Sequence, residues 1–290
     1  MGDNHERNES ARVTRRRFLE KTATGSAALI GAATALGNTV QGGQKSEQGG
    51  QAARPSPKLR GEMTAYQSGE LKIPAYITRP KKRGAVPGAV LVIHEVFGLN
   101  DHIKSVADRI AEAGYLALAP NFFVRAPEPP PKDTTDMTAL RRAASSIPPE
   151  TAIRDMQAAL DFMKTMKGVT PHFASIGFCM GGGFSYQLAT HTKDLAGAVI
   201  FYGRTPLELA PQVSCPLLGS FGALDNGIPP EKVREFEEAL KRAGKEADIK
   251  VYAGAGHGFF NDTRPEAYNA EAAADAWQRT LKFFRARMRA

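Results

Sequence analysis

Ser175-Ile176-Gly177-Phe178-Cys179-Met180-Gly181-Gly182-Gly183 joins an apolar run to the start of a helical pattern, and its reading decides the fold. The spacing is G-x-nucleophile-x-G, with cysteine at the centre where serine usually sits. A chain needs this spacing when it turns from strand to helix so sharply that the central residue is strained. Glycine on either side has no Cβ to collide with the neighbouring backbone. The turn lifts the Cys179 side chain above a sheet and sets it at a helix N-terminus, where N–H groups and the helix dipole favour the attacking thiolate. A phosphate loop is the competing reading, but no G-x-G-x-x-G follows in register and G-K-[ST] is missing. The stretch therefore points to a cysteine hydrolase.

Working outward, short apolar runs alternate with helical periodicity. Strands are expected at residues 62–67, 71–78, 88–93, 115–119, 173–176, 196–202, 217–221 and 248–252, with a hairpin turn at Ser68-Gly69. Helices are expected at 103–113, 151–166, from the elbow to about 190, 231–242 and 265–287, and a Pro-rich loop at 120–132. Continuous apolar runs such as 88–93 belong to strands covered on both faces. The order implies an α/β class protein, with a mainly parallel central sheet, helices on both faces and ligands at the carboxyl ends of the strands.

The chain has 290 residues, 42% of them hydrophobic, enough for one large α/β domain. Its net charge of +8 is scattered, without a basic cluster interleaved with aromatics, so no nucleic-acid partner is implied. The N-terminal segment, residues 1–40, carries Thr14-Arg15-Arg16-Arg17-Phe18-Leu19 before a nearly uncharged Ala/Gly/Thr run, and resembles a twin-arginine export signal. That run is too weakly apolar for a stable membrane span. Ala33-Thr34-Ala35 is one candidate cleavage site and the region near Val40 is another. Export machinery is the implied partner, and a periplasmic or other extracytoplasmic location the implied destination. Residues 41–58 are rich in Gly, Gln, Ser and Pro and read as a flexible linker, so the folded domain is expected at 59–290. The two cysteines, Cys179 and Cys215, fall at opposite edges of a parallel sheet, which argues against a disulfide.

A thiol nucleophile needs a base and a third group to orient that base. In Leu224-Asp225-Asn226-Gly227 an acid follows the strand ending near Phe221, and in Gly254-Ala255-Gly256-His257-Gly258-Phe259 a histidine sits on a glycine-flanked loop after the last strand. The order Cys179, Asp225, His257 is that of α/β-hydrolases. Asp262 follows the histidine and Asp194 precedes a strand, so both are weaker candidates. Among the other histidines, His172 opens a strand, while His102 and His191 read as surface helix positions. No C-x-x-C pair or zinc-spaced histidine pair occurs, so no cofactor or metal is implied.

Together with His94-Glu95-Val96-Phe97-Gly98-Leu99-Asn100, these residues resemble the dienelactone hydrolases, or carboxymethylenebutenolidases, from about Gly61 to the C-terminus. Phe201-Tyr202-Gly203-Arg204 and Ala276-Trp277-Gln278-Arg279-Thr280-Leu281 resemble an exported branch of that family. The resemblance implies an α/β-hydrolase fold and hydrolysis of a lactone or small activated ester through a thioester. Cys179 is then the nucleophile, His257 the base and Asp225 its orienter, with Glu95 touching the resting thiol and moving when substrate binds. The N–H groups of Val96 and Met180 would form the oxyanion hole, while His94 reads as structural. Arg125 aligns with one of the family's two carboxylate-binding arginines. At the second position, four residues after the histidine, this chain has Asn261, and nearby Arg264 is the candidate substitute. An oxidant-reactive thiol protein and a non-catalytic binding module on the same fold are the other function classes considered.

Overall fold

A computed structural model describes residues 60–81, 84–131 and 134–288. The twin-arginine segment, the linker and the expected domain start at residue 59 lie outside the described residues. Strands β1 (Glu62–Ser68) and β2 (Leu71–Thr78) form a hairpin, and β3 (Ala89–Ile93), β4 (Leu116–Pro120), β5 (Phe173–Phe178), β6 (Leu195–Phe201), β7 (Leu217–Gly222) and β8 (Ala247–Tyr252) complete one sheet. Its order is β1-β2-β4-β3-β5-β6-β7-β8, antiparallel through the β1/β2 and β2/β4 pairs and parallel from β4 to β8. The hairpin turns at Gly69-Glu70, one residue later than expected, because Ser68 still pairs with Leu71 and Gly69 takes φ +59°.

Helices α1 (Asp101–Glu112), α2 (Met137–Ser145), α3 (Pro149–Lys164), α4 (Met180–His191), α5 (Pro230–Arg242) and α6 (Ala270–Arg287) cover the sheet. The strand pleat sorts alternate residues into two cores. Leu91 and Ile93 pack with Met156 of α3, Leu188 of α4 and Phe236 of α5, while Val90 and Val92 pack with Ile103 of α1 and Trp277 of α6. Burial on both faces is why the parallel strands were legible as unbroken apolar runs. Helix α2 falls where no element was expected. It is nine residues long, capped by Asp136, whose side chain accepts from Thr138 N–H at 2.8 Å, and it buries Leu140 and Ala143. Helix α6 begins at Ala270, five residues later than expected, with Asn269 accepting from Ala272 N–H at 3.0 Å. No helix among the described residues is long and apolar enough to cross a membrane.

Candidate active site

The parallel strands deliver their carboxyl ends to one edge of the sheet. Cys179 follows β5 with φ 54° and ψ −115°, a region that a side-chain-bearing residue occupies only under strain. The glycines around it have no alternative. A Cβ on Gly177 would lie 1.9 Å from the Gly181 carbonyl oxygen, and one on Gly181 would lie 2.3 Å from that of Ile93. Cys179 N–H is fixed to Phe201 O at 3.0 Å, which ties the turn to β6. Met180 opens α4, so its N–H has no carbonyl within the helix to bond.

Asp225 and His257 meet because the loops after β7 and β8 are bonded to each other. Ala223 N–H donates to Tyr252 O and Leu224 N–H to Ala255 O, both at 2.9 Å, and any Cβ on Gly222 would strike Ala255 O. Asp225 is buried and accepts from Gly227 N–H at 2.8 Å and Ile228 N–H at 3.1 Å through Oδ1. Its Oδ2 lies 2.7 Å from His257 Nδ1, and His257 Nε2 lies 3.1 Å from Cys179 Sγ. Burial opposes a charge on His257, but the hydrogen bonds and charges of Asp225 and Cys179 outweigh it and raise the imidazole pKa from 6.5 to about 10. Burial likewise disfavours the Asp225 carboxylate. His257 and the two backbone donors reverse this and hold its pKa below the usual range.

Glu95 departs from expectation. Its side chain is 2% exposed, and its oxygens accept from Tyr202 Oη at 3.2 Å and Asn261 Nδ2 at 2.7 Å. The expected contact with the thiol is thus corrected. The hydrogen-bond partner of Cys179 Sγ is His257, because the Tyr202 and Asn261 donors draw the carboxylate to themselves. Glu95 opens a tight turn in which Gly98 N–H returns to its carbonyl at 3.1 Å, with Gly98 at φ +73°. His94 beneath it is fully buried and keeps its expected structural role. Nδ1 donates to Glu95 O at 2.6 Å and Nε2 accepts from Phe122 N–H at 3.1 Å, while burial lowers its pKa to about 4.

Tyr202 was not among the expected site residues. It follows β6 with φ 38°, is fully buried, and sets its ring edge-on to His257 at 5.2 Å. Burial, then the charges of Glu95 and Cys179, push its phenol well above the ordinary value, so it remains a donor. Its place at the carboxyl end of a strand was the available signal. Asn261, noted only as a missing arginine, is buried and closes the group. Its Oδ1 accepts from Thr263 N–H at 3.1 Å and Thr263 Oγ1 at 2.7 Å.

Arg125 is a second correction. Its Nε and Nη2 donate to the two oxygens of fully buried Asp155 at 2.9 and 2.8 Å, and Nη2 also reaches Ser68 O at 2.9 Å. The guanidinium is thus engaged with an internal carboxylate, a contact the expected clamp role did not include. Arg264 pairs with Glu266 at 2.8 Å and lies over the Phe97 ring at 5.0 Å. His102, expected at the surface, is buried, with Nδ1 3.2 Å from Asp262 Oδ1, so that rival acid pairs with His102 while Asp225 holds His257. His191 is exposed as expected, and both cysteines are free.

Residues 73–288 match the Dienelactone hydrolase family. This chain belongs to that family. Dienelactone hydrolase relatives that carry the name "Putative carboxymethylenebutenolidase" include one from Escherichia coli O157:H7, 34% identical over 80% of this chain and 89% of its own length. Another, from Methylorubrum extorquens, is 36% identical over 73% of this chain and 76% of its own. A dienelactone hydrolase crystal structure from Klebsiella pneumoniae, itself named as putative, superposes with a TM-score of 0.73 at 32% identity, covering 78% of this chain and 98% of that one. The dienelactone hydrolase-like phosphotriesterase P91 superposes at 0.69, but at 24% identity that likeness speaks to the fold alone. The chain is accordingly an α/β-hydrolase-fold hydrolase of esters or lactones.

Proposed function

We propose that this dienelactone hydrolase family member cleaves a lactone or small activated ester by acyl transfer through a Cys179-His257-Asp225 triad. The observation that carries the reading is the continuous chain from Sγ to Nε2 at 3.1 Å and from Nδ1 to Asp225 at 2.7 Å, seated on a strained strand-to-helix turn. The Cys179 thiolate attacks the carbonyl carbon, and the C=O electron pair moves to oxygen. The N–H groups of Met180 and Val96 hold that oxyanion, one from the residue after the nucleophile and one from the first strand-to-helix loop. Collapse breaks the C–O bond, and the leaving alkoxide takes a proton from the His257 imidazolium. Neutral His257 then takes a proton from water, whose oxygen attacks the thioester. The acid product leaves and the thiolate and imidazolium return. Asp225, held by two backbone donors, keeps Nδ1–H aimed at itself and Nε2 at the chemistry.

Turnover of p-nitrophenyl acetate and a lactone panel by the wild type and Cys179→Ala tests this. Activity is expected to vanish in the variant, with an acyl adduct on Cys179 visible by mass spectrometry of the quenched wild type. Equal rates would refute the triad. The N-terminal 40 residues belong to the proposal as a twin-arginine signal directing periplasmic or other extracytoplasmic export, supported by the Arg15-Arg16 pair before a nearly uncharged run. Cell fractionation should find Arg15→Lys/Arg16→Lys retained inside, and export of that variant would overturn the signal.

A further inference from the structure

The charges around the site bear on which substrates it takes, and the inference rests on the acyl-transfer reading above. A cavity of about 750 Å³ begins at Phe97, the residue after the proposed oxyanion donor Val96, and runs between the start of α1 and the loop after β4. Phe97, Leu99, Phe123, Val124, Pro130 and Leu140 give it apolar walls. Its ionisable residues already have partners: Lys104 lies 3.4 Å from Asp101, and His102 3.2 Å from Asp262. The arginines that would welcome an anion are engaged as well. Arg125 is held by Asp155 and Ser68, and Arg264 by Glu266 and the face of Phe97. Arg204, exposed beside Gly183 in the first turn of α4, does not line the cavity.

Glu95 adds a carboxyl group on the triad side. Its two oxygens accept from a phenol and a primary amide. Both donors are neutral, and among the described residues no lysine, arginine or histidine pairs with it. Tyr202 links it directly to the triad, because the same ring that donates to Glu95 packs on His257.

We propose that the site takes esters or lactones whose non-reacting part is uncharged and apolar, seats that part in the cavity beside Phe97, and disfavours substrates carrying a carboxylate there. A carboxylate entering the cavity would lose hydration and meet only Lys104, a cation already 3.4 Å from Asp101, an exchange that opposes binding.

A matched pair tests the proposal: p-nitrophenyl hexanoate against mono-p-nitrophenyl adipate, equal in chain length and differing in a terminal carboxylate, with p-nitrophenyl acetate as the short control. The kcat/KM for hexanoate should exceed that for adipate by about tenfold or more, the scale of one lost charge-stabilising contact. Val124→Trp, which narrows the cavity, should lower the hexanoate-to-acetate ratio of kcat/KM about fivefold or more. A wild-type hexanoate-to-adipate ratio within about twofold, or a preference for adipate that Arg204→Ala or Arg264→Ala abolishes, would overturn charge selection. Hexanoate turnover surviving in Cys179→Ala would instead refute the triad while leaving the ratio readable, so the two ideas fail separately.

Discussion

Replacing Arg125 with alanine separates a structural arginine from a substrate-binding one. Asp155 is fully buried and Arg125 about one-fifth exposed, with a side-chain relative accessibility of 18%. The substitution removes two charged hydrogen bonds and leaves the carboxylate in the core, with Ser68 Oγ at 2.5 Å as its remaining side-chain donor. Removing one partner of a buried ion pair costs about 3 to 5 kcal/mol. Ser68 and the partial solvation of Arg125 argue for the lower end, about 3 kcal/mol. For a domain of this size that lowers Tm by roughly 6–12 °C. The assay is thermal unfolding followed by circular dichroism, paired with kcat/KM on an uncharged ester at a temperature where both proteins are folded. Stability should fall and kcat/KM should stay within about twofold. The double variant Arg125→Met/Asp155→Leu should recover most of the loss, because apolar residues of similar volume replace a buried pair at little net cost. An unchanged Tm in Arg125→Ala, with KM raised only for carboxylated esters, would refute this and restore the clamp.

Four further outcomes are expected. In native protein, Ellman's reagent should titrate one thiol quickly and the second only after denaturation, because burial pushes Cys215 up to about 12 while Cys179 sits beside His257; two fast thiols would contradict the placement of Cys215. Asp225→Asn should slow alkylation of Cys179 by iodoacetamide at pH 7, because it removes the carboxylate that helps hold a proton on His257 beside the thiol; an unchanged rate would count against the relay. The stabilisation from protonated His257 should be full below its ordinary 6.5 and be lost as pH rises through about 10, whereas that from Asp225 should be lost as pH falls through its depressed value; urea midpoints of wild type and His257→Gln across pH 3 to 10.5 would show both limbs, and parallel curves would count against the pair. Gly181→Ala should leave little folded protein, because its Cβ meets Ile93 O at 2.3 Å and His94 O at 2.6 Å. Gly69→Ala, with φ +59° but open space, should cost only about 1 kcal/mol in urea unfolding.

The sequence by itself determined the layer order, the elbow and the order of Cys179, Asp225 and His257. Those features are local. A strand buried on both faces writes an unbroken apolar run, a strained turn demands glycine at fixed offsets, and in a parallel sheet any residue just past a strand's end arrives at the same edge. Helix α2 escaped notice because nine residues with two buried positions make a weak periodic signal between a Pro-rich loop and a longer helix.

Tertiary structure alone decided which groups bond to which. Arg125 finds Asp155 30 residues away, His102 finds Asp262 160 away, and Glu95 meets Tyr202 and Asn261 at separations of 107 and 166. At such distances residue type says what a side chain is able to bond, and only the packed chain says what lies within 3 Å of it. Glu95 lies two residues past the end of β3, yet whether it met the thiol or turned to a tyrosine and an asparagine depended on two loops folded from other parts of the chain. That choice leaves the Cys179 thiol in the hands of His257.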